Sequence, residues 1–246
     1  MHVAIVYILM FIGSYLIGSI PFSWIVVKLK LGEDLRQIGS GNVGGRNVYR
    51  ATKSKFWALF AGFLDITRSV TAITIPYLIS KNFYFQTNDI LVEIFIWPEF
   101  GILTCFALVI AGFGAIMGHN WPIYLLSHGG RGITVVIATT LFVNPILLVF
   151  WAILWPICIA FVGYSSINYI VVTLLVSFIA LFLPQPMLMP WAKYNLGLAV
   201  LLFLVAIVMI SRQCDNFRKI KTGEAKKMRI FKALRGKGKL GDEILK

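Results

Sequence analysis

The sequence predicts an all-α integral membrane protein with seven transmembrane helices, an outside amino terminus and cytoplasmic glycine-rich loops. Hydrophobic residues make up 59% of the 246 residues, and the mean hydropathy is +0.83. This apolar share exceeds what a soluble domain of this length needs to fill one core. Long apolar runs recur along the chain, and Lys and Arg concentrate in some of the segments between them. Together these features indicate repeated membrane crossings.

Six apolar runs divide the chain, several of them near the roughly 20 residues that cross hydrocarbon as a helix. They cover residues 3–27, 56–80, 100–118, 133–163, 167–183 and 194–211. A β-barrel would show short alternating segments instead. The first run lacks a basic region before it and a small-residue cleavage site, so we expect an uncleaved span.

The run 133–163 sets the number of spans. Its 31 residues are too many for one span and too few for two full ones, and it contains Asn144-Pro145, a pair that favours a turn. Segment 28–55 holds seven Lys/Arg and the tail from Arg212 holds twelve, whereas 81–99 has only Lys81 against three acidic residues. The positive-inside rule places 28–55 and the tail in the cytoplasm, which requires an odd number of spans. Seven spans follow if 133–163 is two helices.

Two other classes of protein are disfavoured. The net charge of +13 would suit nucleic acid, but these Lys and Arg flank membrane spans, where anionic lipid is their expected partner. Cys105, Cys158 and Cys214 show no C-x-x-C spacing or clustered histidine, so neither a disulfide framework nor a zinc site is expected. We expect a membrane domain over residues 1–213, a basic tail over 214–246, no cofactor and no nucleic-acid partner.

The first chemical motif is a glycine-rich segment from Gly39 to Arg50. It contains four glycines with a hydroxyl, two amides and two arginines, namely Gly39, Ser40, Gly41, Asn42, Gly44, Gly45, Arg46, Asn47 and Arg50. Backbone N–H groups of such a loop can form an anion nest, and arginine forks can complete a phosphate site. A flexible connector is the alternative, which the paired arginines and asparagines disfavour.

The second motif begins at Gly112, passes His119 and ends in the loop Gly129-Gly130-Arg131-Gly132 before a short helix. Unpaired N–H groups at a helix start favour a bound anion, so we expect Arg131 to be a ligand. A lone juxtamembrane arginine is more often a membrane anchor, although an anchor does not need adjacent glycines. For His119 a structural and a chemical role stay equally open.

Three further features are weaker. Gly163-Tyr164-Ser165-Ser166 forms a short turn in which either serine is expected to cap a helix. A basic cluster lies beyond the last span, with Arg212, Asn216, Arg218, Gly223 and Glu224. Asp65 and Arg68 stand three apart inside the second run, and a mutual ion pair is the favoured interpretation.

These motifs, in this order, resemble the PlsY-type bacterial membrane acyltransferases, which transfer an acyl chain from acyl phosphate to glycerol 3-phosphate. The resemblance covers residues 13 to about 224. It rests on Gly18-Ser19-Ile20-Pro21, Gly39 to Arg50, Asp65, Gly118-His119 with Pro122, Gly129 to Gly132, Gly163 to Ser166, and Asn216 with Gly223-Glu224. It implies seven spans, an outside amino terminus, an active site on the cytoplasmic side of a bacterial inner membrane, and no cofactor.

The resemblance also implies roles for individual residues. The expected catalytic residues are Ser40, Arg50, Arg131 and Ser166. The expected substrate-binding residues are Gly41, Asn42, Gly44, Arg46, Asn47, His119, Gly129, Gly130, Gln213 and Asn216. The sequence departs from the family pattern at Gly45-Arg46 (for Ala-Thr), Arg131 (for lysine), Gln213 (for histidine) and Arg68-Ser69 (for lysine and glycine).

The chemistry expected for such a protein needs little activation of a nucleophile. No histidine here is followed by aspartate after four intervening residues, so the His-x4-Asp general base of other glycerolipid acyltransferases is missing. An acyl phosphate has a good leaving group, and positioning with charge stabilisation can supply much of the catalysis. Three alternatives stay open: an organic-phosphate transporter, a paralogue with another acceptor, and an inactive scaffold.

Overall fold

The computed structural model describes residues 3–86, 102–183, 195–225 and 227. Throughout these residues the regular elements are helical. They are α1 (Val3–Gly18), α2 (Phe22–Leu31), α3 (Gly45–Thr52), α4 (Lys55–Gln86), α5 (Ile102–Asn120), α6 (Ile133–Val143), α7 (Pro145–Val162), α8 (Ser165–Ala180), α9 (Asn195–Ser211) and α10 (Cys214–Lys221). Short 3-10 turns cover Leu35–Gln37 and Ile123–Leu125. The predicted all-α class is confirmed within the described part of the chain.

The predicted break in the run 133–163 is confirmed. α6 ends at Val143, and Asn144 adopts an extended backbone whose side chain accepts a hydrogen bond from Ile146 N at 3.1 Å. Pro145 begins α7, where its missing N–H costs nothing and its fixed φ suits a first helical turn. The turn expected from Asn-Pro thus follows from an amide cap combined with a proline start.

The first run contains a second break that we did not expect. α1 ends at Gly18 and α2 begins at Phe22 after Pro21, because proline cannot continue the hydrogen-bond ladder. The carbonyl of Ile20 beside this break accepts a hydrogen bond from Arg68 Nη1 at 2.6 Å. An interior arginine of α4 therefore satisfies a carbonyl at the break between α1 and α2.

The membrane-spanning segments are only partly delimited. Among the described residues four helical stretches are long and apolar enough to cross a membrane, or five if α9 and α10, bent by 56°, form one span. α6 and α8 are shorter apolar helices. Residues 87–99 of the segment 81–99 and residues 230–246 of the tail lie outside the described residues, and the count of seven spans stays a prediction.

Close helix packing shapes the bundle. α1 packs against α5 and α4, and α8 packs between α7 and α9. A side chain at Gly114 or Gly118 of α5 would collide with the α1 backbone at Phe11 or Tyr15, so these small residues permit the approach. This part of the second glycine motif is therefore a helix interface rather than a loop.

Two buried clusters hold the site. The larger joins the long helices through side chains such as Ile73, Ile116, Leu147, Leu201 and Leu202. The smaller joins α2, α3 and the two 3-10 turns through Val26, Val27, Leu35, Val48 and Leu125. The polar segment between α2 and α4 is thereby packed onto the bundle rather than extended into solvent.

Candidate functional site

A cavity of about 700 Å³ opens at the end of the bundle where α3, α6, α8 and α10 meet. Its lining is polar and strongly basic. The lining residues are Ser40, Asn42, Arg46, Asn47, Arg50, Arg131, Ile133, Tyr164, Ser165, Ser166, Tyr169, Asn216, Lys219, Glu224, Ala225 and Lys227. All four motifs identified in the sequence contribute to this one space.

The first wall consists of α3 and the loop before it. The glycine-rich segment, predicted as a loop, is helical from Gly45 onwards. Asn47 is buried, and its side chain donates to the carbonyls of Leu35 and Ile38 at 3.0 and 2.8 Å and accepts from Ser40 N at 3.2 Å. A side chain at Gly39, whose φ is +56°, would press against Asn47 Oδ1. These contacts lock the loop and present Ser40 to the cavity.

Helix α3 carries two guanidiniums on one face. Arg46 and Arg50 are four residues apart, a spacing that places side chains together on a helix. Arg46 Nη1 lies 3.4 Å from Ser165 Oγ across the cavity, and its buried Nε has no hydrogen-bond partner. The helical form of residues 45–52 is what brings both cations to the same wall.

The loop before α6 supplies the third guanidinium. Gly132, with φ of +87°, precedes the first residue of α6 and lets Arg131 turn into the cavity. Arginine can only donate, so the Asn216 amide presents its oxygen, which then lies 3.0 and 3.3 Å from Nη1 and Nη2 of Arg131. The loop motif and the tail motif are therefore joined by a fork-like contact.

Like charges dominate the electrostatics. Burial lowers the pKa of Arg131, and the guanidiniums of Arg46, Arg212 and Arg50 lower it further. Burial and the charge of Arg46 likewise lower the pKa of Arg50. The guanidiniums of Arg50 and Arg131 stay protonated near neutral pH because arginine starts from so high a pKa. The carboxylate in the lining, Glu224, is exposed and accepts from Thr222 Oγ at 2.8 Å. An anion in the cavity would relieve this mutual repulsion.

Another wall of the cavity comes from the turn before α8. Tyr164 occupies the cap position and makes no side-chain cap bond, so the expected capping by Ser165 or Ser166 is wrong. Both serines lie instead in the first turn of α8 and face the cavity. The cause is the extended Tyr164 backbone, after which the helix starts at Ser165, one residue earlier than a Ser165 cap would need.

The start of the tail covers one side of the cavity. α10 places Asn216 and Lys219 in the lining, and Glu224, Ala225 and Lys227 follow it. The ammonium of Lys227 lies 6.0 Å from the centre of the Tyr164 ring. Lys219, Lys227 and Tyr169 were missed by the sequence analysis, since a lysine in a basic tail and a tyrosine in an apolar helix carry no motif.

Several expected substrate-binding residues lie beside the cavity rather than in its lining. His119 is buried, and its Nδ1 lies 2.6 Å from Arg68 Nη2. Gly129 and Gly130 pack against His119, and their carbonyls accept from Arg212 at 3.2 and 3.4 Å. His119 therefore contacts the loop that carries Arg131, and it does not belong to the described lining of the cavity.

Three more expected substrate-binding residues, Gly41, Gly44 and Gln213, also lie outside the described lining of the cavity. Gly41, with φ of +69°, and Gly44, which precedes α3, shape the loop between Ser40 and Asn47. Gln213 is fully buried and its side-chain amide contacts that of Asn216. None of the three contributes to the described lining of the cavity.

The ion pair expected between Asp65 and Arg68 is confirmed, with Oδ1 and Nη1 3.6 Å apart. Asp65 Oδ2 also accepts from Ser23 Oγ at 2.6 Å. Across the described residues no three His, Cys, Asp or Glu side chains come together as a metal site. The side chains that line the cavity supply guanidiniums, ammoniums, hydroxyls, amides and the carboxylate of Glu224.

The sequence of this chain is similar to those of known acyltransferases. Residues 8–223 match the family model described as glycerol-3-phosphate acyltransferase. A protein of that name from Staphylococcus aureus is 30% identical over 227 residues, covering 90% of this chain and 98% of its own. One from Pelagibacter ubique is 29% identical over 226 residues, covering 92% and 99%.

Solved structures share the fold. The crystal structure of PlsY, an integral membrane glycerol 3-phosphate acyltransferase, in its glycerol 3-phosphate form matches with a TM-score of 0.66 and 25% identity, covering 93% of this chain and 98% of that one. Its lysophosphatidic acid form matches with a TM-score of 0.64. The match over nearly the whole chain, together with the basic cavity at the end of an apolar bundle, shows that this protein is a membrane acyltransferase belonging to the glycerol-3-phosphate acyltransferase family.

Proposed function

We propose that the protein transfers an acyl chain from acyl phosphate to the 1-hydroxyl of glycerol 3-phosphate, giving lysophosphatidic acid and inorganic phosphate. The observation that carries this proposal is the convergence of Arg46, Arg50 and Arg131 on one cavity. Both substrates carry a phosphate, and guanidinium forks match phosphate oxygens in shape and charge. Three such groups with two lysines suit two phosphates bound side by side.

The lining also fits a direct transfer. In the described lining there is no histidine, cysteine or aspartate, and the carboxylate there, Glu224, is exposed and accepts from Thr222 Oγ1 at 2.8 Å. The glycerol 1-hydroxyl would attack the acyl carbonyl carbon, the bond from that carbon to the phosphate oxygen would break, and the hydroxyl proton would pass to the departing phosphate. The products are an ester and hydrogen phosphate, so atoms and charge balance.

Each wall of the cavity has a proposed part in this reaction. Arg50 and Arg131 would hold the phosphates and offset the charge that develops on the leaving group. Ser40 and Ser166 would hydrogen-bond the hydroxyls and phosphate oxygens, with Asn42 and Asn216 as further amide partners. Arg46, which the family pattern lacks, would add a donor on the Ser165 side.

The assay uses purified protein in lipid vesicles with acyl phosphate and glycerol 3-phosphate, and it measures lysophosphatidic acid and inorganic phosphate together. We expect both to appear in equal amounts. Arg131→Ala is expected to lower kcat/KM by about 10²–10³-fold, the range found when one oxyanion-hole donor is removed. Lys55→Ala removes an exposed positive charge outside the cavity lining and serves as the matched control.

Three outcomes would contradict the proposal. Phosphate released without lysophosphatidic acid would indicate hydrolysis. Glycerol 3-phosphate taken into sealed vesicles unchanged would indicate a transporter. Product formation that survives Arg131→Ala and Arg50→Ala at wild-type rates would place the chemistry elsewhere.

We further propose seven crossings of a bacterial inner membrane, with the amino terminus outside and the cavity facing the cytoplasm. All of the cavity segments follow or precede helix ends that a seven-span path brings to one side: residues 32–54, 121–132, 163–164 and 212–227. The Asn144 turn and the end of α8 fall on the other side in this path. The short α6 would be a partial crossing, since 11 residues rise only about 16 Å.

Cysteine labelling tests this topology. Cys214 is exposed at the cavity end of α9, and a membrane-impermeant thiol reagent should reach it only in inside-out vesicles. Phe182→Cys in a Cys-free chain, at an exposed position beyond α8, should react from the outside. Labelling of both positions from one side would rule the seven-span path out.

A further inference from the structure

We propose that His119 is a positioning residue that acts through Gly129 and Gly130 to aim the Arg131 guanidinium into the cavity. This inference rests on the proposed function for its kinetic readout. The residue does not line the cavity, and its contacts lead from the interior of the bundle to the loop that carries Arg131. Those contacts define a chain of support from α4 to the site.

The ring orientation follows from the donor next to it. Arg68 Nη2 lies 2.6 Å from His119 Nδ1, and a guanidinium has no lone pair to accept with. Nδ1 must therefore accept, which leaves the proton on Nε2 of a neutral ring. The opposite edge of the imidazole, with Nε2, is turned towards Gly130.

Arg68 is itself held by the segment between α1 and α2 and by a residue of its own helix. Its Nη1 donates to the carbonyl of Ile20 at 2.6 Å and faces Asp65 Oδ1 at 3.6 Å. Asp65 is held in turn by Ser23 Oγ at 2.6 Å. Since Asp65, Arg68 and Ser23 are all buried, the ring of His119 is anchored in a rigid polar cluster where α1, α2 and α4 meet.

The glycine pair rests on this ring. Gly130 N donates to the carbonyl of His119 at 2.9 Å. A side chain on Gly130 would overlap the imidazole at Nε2 and Cε1, and one on Gly129 would overlap the His119 carbonyl and the Pro122 ring. Two successive glycines are needed because the loop lies directly against the histidine.

The other side of the loop is held by Arg212. Its guanidinium donates to the Gly129 and Gly130 carbonyls at 3.2 and 3.4 Å, and it lies 5.6 Å from the centre of the Trp121 ring. The peptide units before Arg131 are therefore clamped between His119 and Arg212. Arg131 follows this clamp directly and meets Asn216 at the cavity wall.

Two variants separate positioning from a role in folding alone. His119→Asn keeps an oxygen where Nδ1 accepts from Arg68 but lacks the ring edge that supports Gly130. We expect it to leave the melting temperature within about 2 °C of wild type and to raise the KM for glycerol 3-phosphate about fivefold. His119→Leu removes both contacts and should raise that KM about tenfold while lowering the melting temperature. A wild-type KM in His119→Asn would overturn the proposal.

A double-mutant cycle with Arg131→Ala then tests the route. If His119 acts through Arg131, adding His119→Asn to Arg131→Ala should change kcat/KM by less than about twofold, because coupled residues are strongly non-additive. Additive losses would mean that His119 acts on substrate by itself or on the fold at large, and would refute the inference.

Failure of the proposed function gives a different pattern. If the wild type forms no lysophosphatidic acid, the acyl transfer proposal falls, and the same cycle is measured by calorimetric binding of inorganic phosphate. Positioning predicts that His119→Asn weakens phosphate binding in the wild-type background and not in Arg131→Ala. Equal weakening in both backgrounds would overturn the inference whatever the reaction is.

Discussion

Replacing Arg46 by threonine, the residue that the family pattern has at this position, isolates what is particular to this cavity. Arg46 reaches Ser165 at 3.4 Å, and its buried Nε is without a partner. A bound phosphate is the natural acceptor for that donor. A hydrogen bond to a charged group contributes about 1.5–3 kcal/mol, which corresponds to about 10–150-fold in affinity. We expect Arg46→Thr to raise the KM for glycerol 3-phosphate within this range.

The same substitution also relieves repulsion among the three guanidiniums when no substrate is bound. Arg46 lowers the pKa of both Arg50 and Arg131 through its charge, so removing it should leave the empty protein equally stable or more stable. Screening by solvent keeps this gain below about 1 kcal/mol for partly exposed groups. The variant should therefore combine an unchanged or higher melting temperature with weaker binding of glycerol 3-phosphate.

The assay is steady-state phosphate release with glycerol 3-phosphate varied at saturating acyl phosphate, repeated at several ionic strengths. Lys55→Thr is the matched control for loss of an exposed positive charge, and its KM should stay within about twofold of wild type because Lys55 does not line the cavity and solvent ions screen its charge. The reasoning is refuted if Arg46→Thr leaves the KM unchanged or lowers it, since the guanidinium would then hinder the acceptor rather than bind it.

Three other predictions concern the fold. Asn144→Ala should destabilise the protein by about 1 kcal/mol in chemical denaturation, because Ile146 N loses its cap, whereas Asn144→Ser should retain most of the stability. Gly118→Ala should cost about 1–3 kcal/mol through collision with α1, while Gly13→Ala, which meets nothing within 4 Å, should be neutral or stabilising. Arg68→Met should lower the unfolding free energy by about 3–5 kcal/mol because Asp65 is left as a buried, unpaired charge. The control is Thr67→Ala at the exposed neighbouring position, which should change the unfolding free energy by less than about 0.5 kcal/mol. Equal losses in the two variants would contradict the ion-pair assignment.

Much of the fold could be predicted because its causes are local. The apolar runs identify most of the helices, and Asn144-Pro145 marks a break through the ordinary properties of an amide cap and a proline. The ion pair of Asp65 with Arg68 follows from helical spacing alone. The break at Pro21 was harder to predict, because the Ile20 carbonyl beside it is satisfied by Arg68, 48 residues away in the sequence.

The candidate site divides in the same way. Ser40, Arg50 and Arg131 were identifiable because hydroxyls and guanidiniums among glycines form an unusual local pattern, and each lines the cavity. The difference between lining and supporting residues could not be read from the sequence. His119 and Gln213 belong to the same motifs as cavity residues, but only the packing of α4 and α9 shows that they face inwards.

The departures from the family pattern become coherent once their contacts are known. Arg131 presents two donors where a lysine presents one charged end, and both meet the Asn216 amide. Asn216 in turn contacts Gln213, which is fully buried behind it. The substitutions at 131 and 213 thus lie on either side of Asn216, which contacts both Arg131 and Gln213. The hypothesis of an inactive scaffold is motivated by two departures from the family pattern, Gln213 and Arg46. Since Gln213 lies behind the cavity and holds a residue that remains asparagine, the substitution removes no group from the described lining, and that reason for expecting inactivity loses its force.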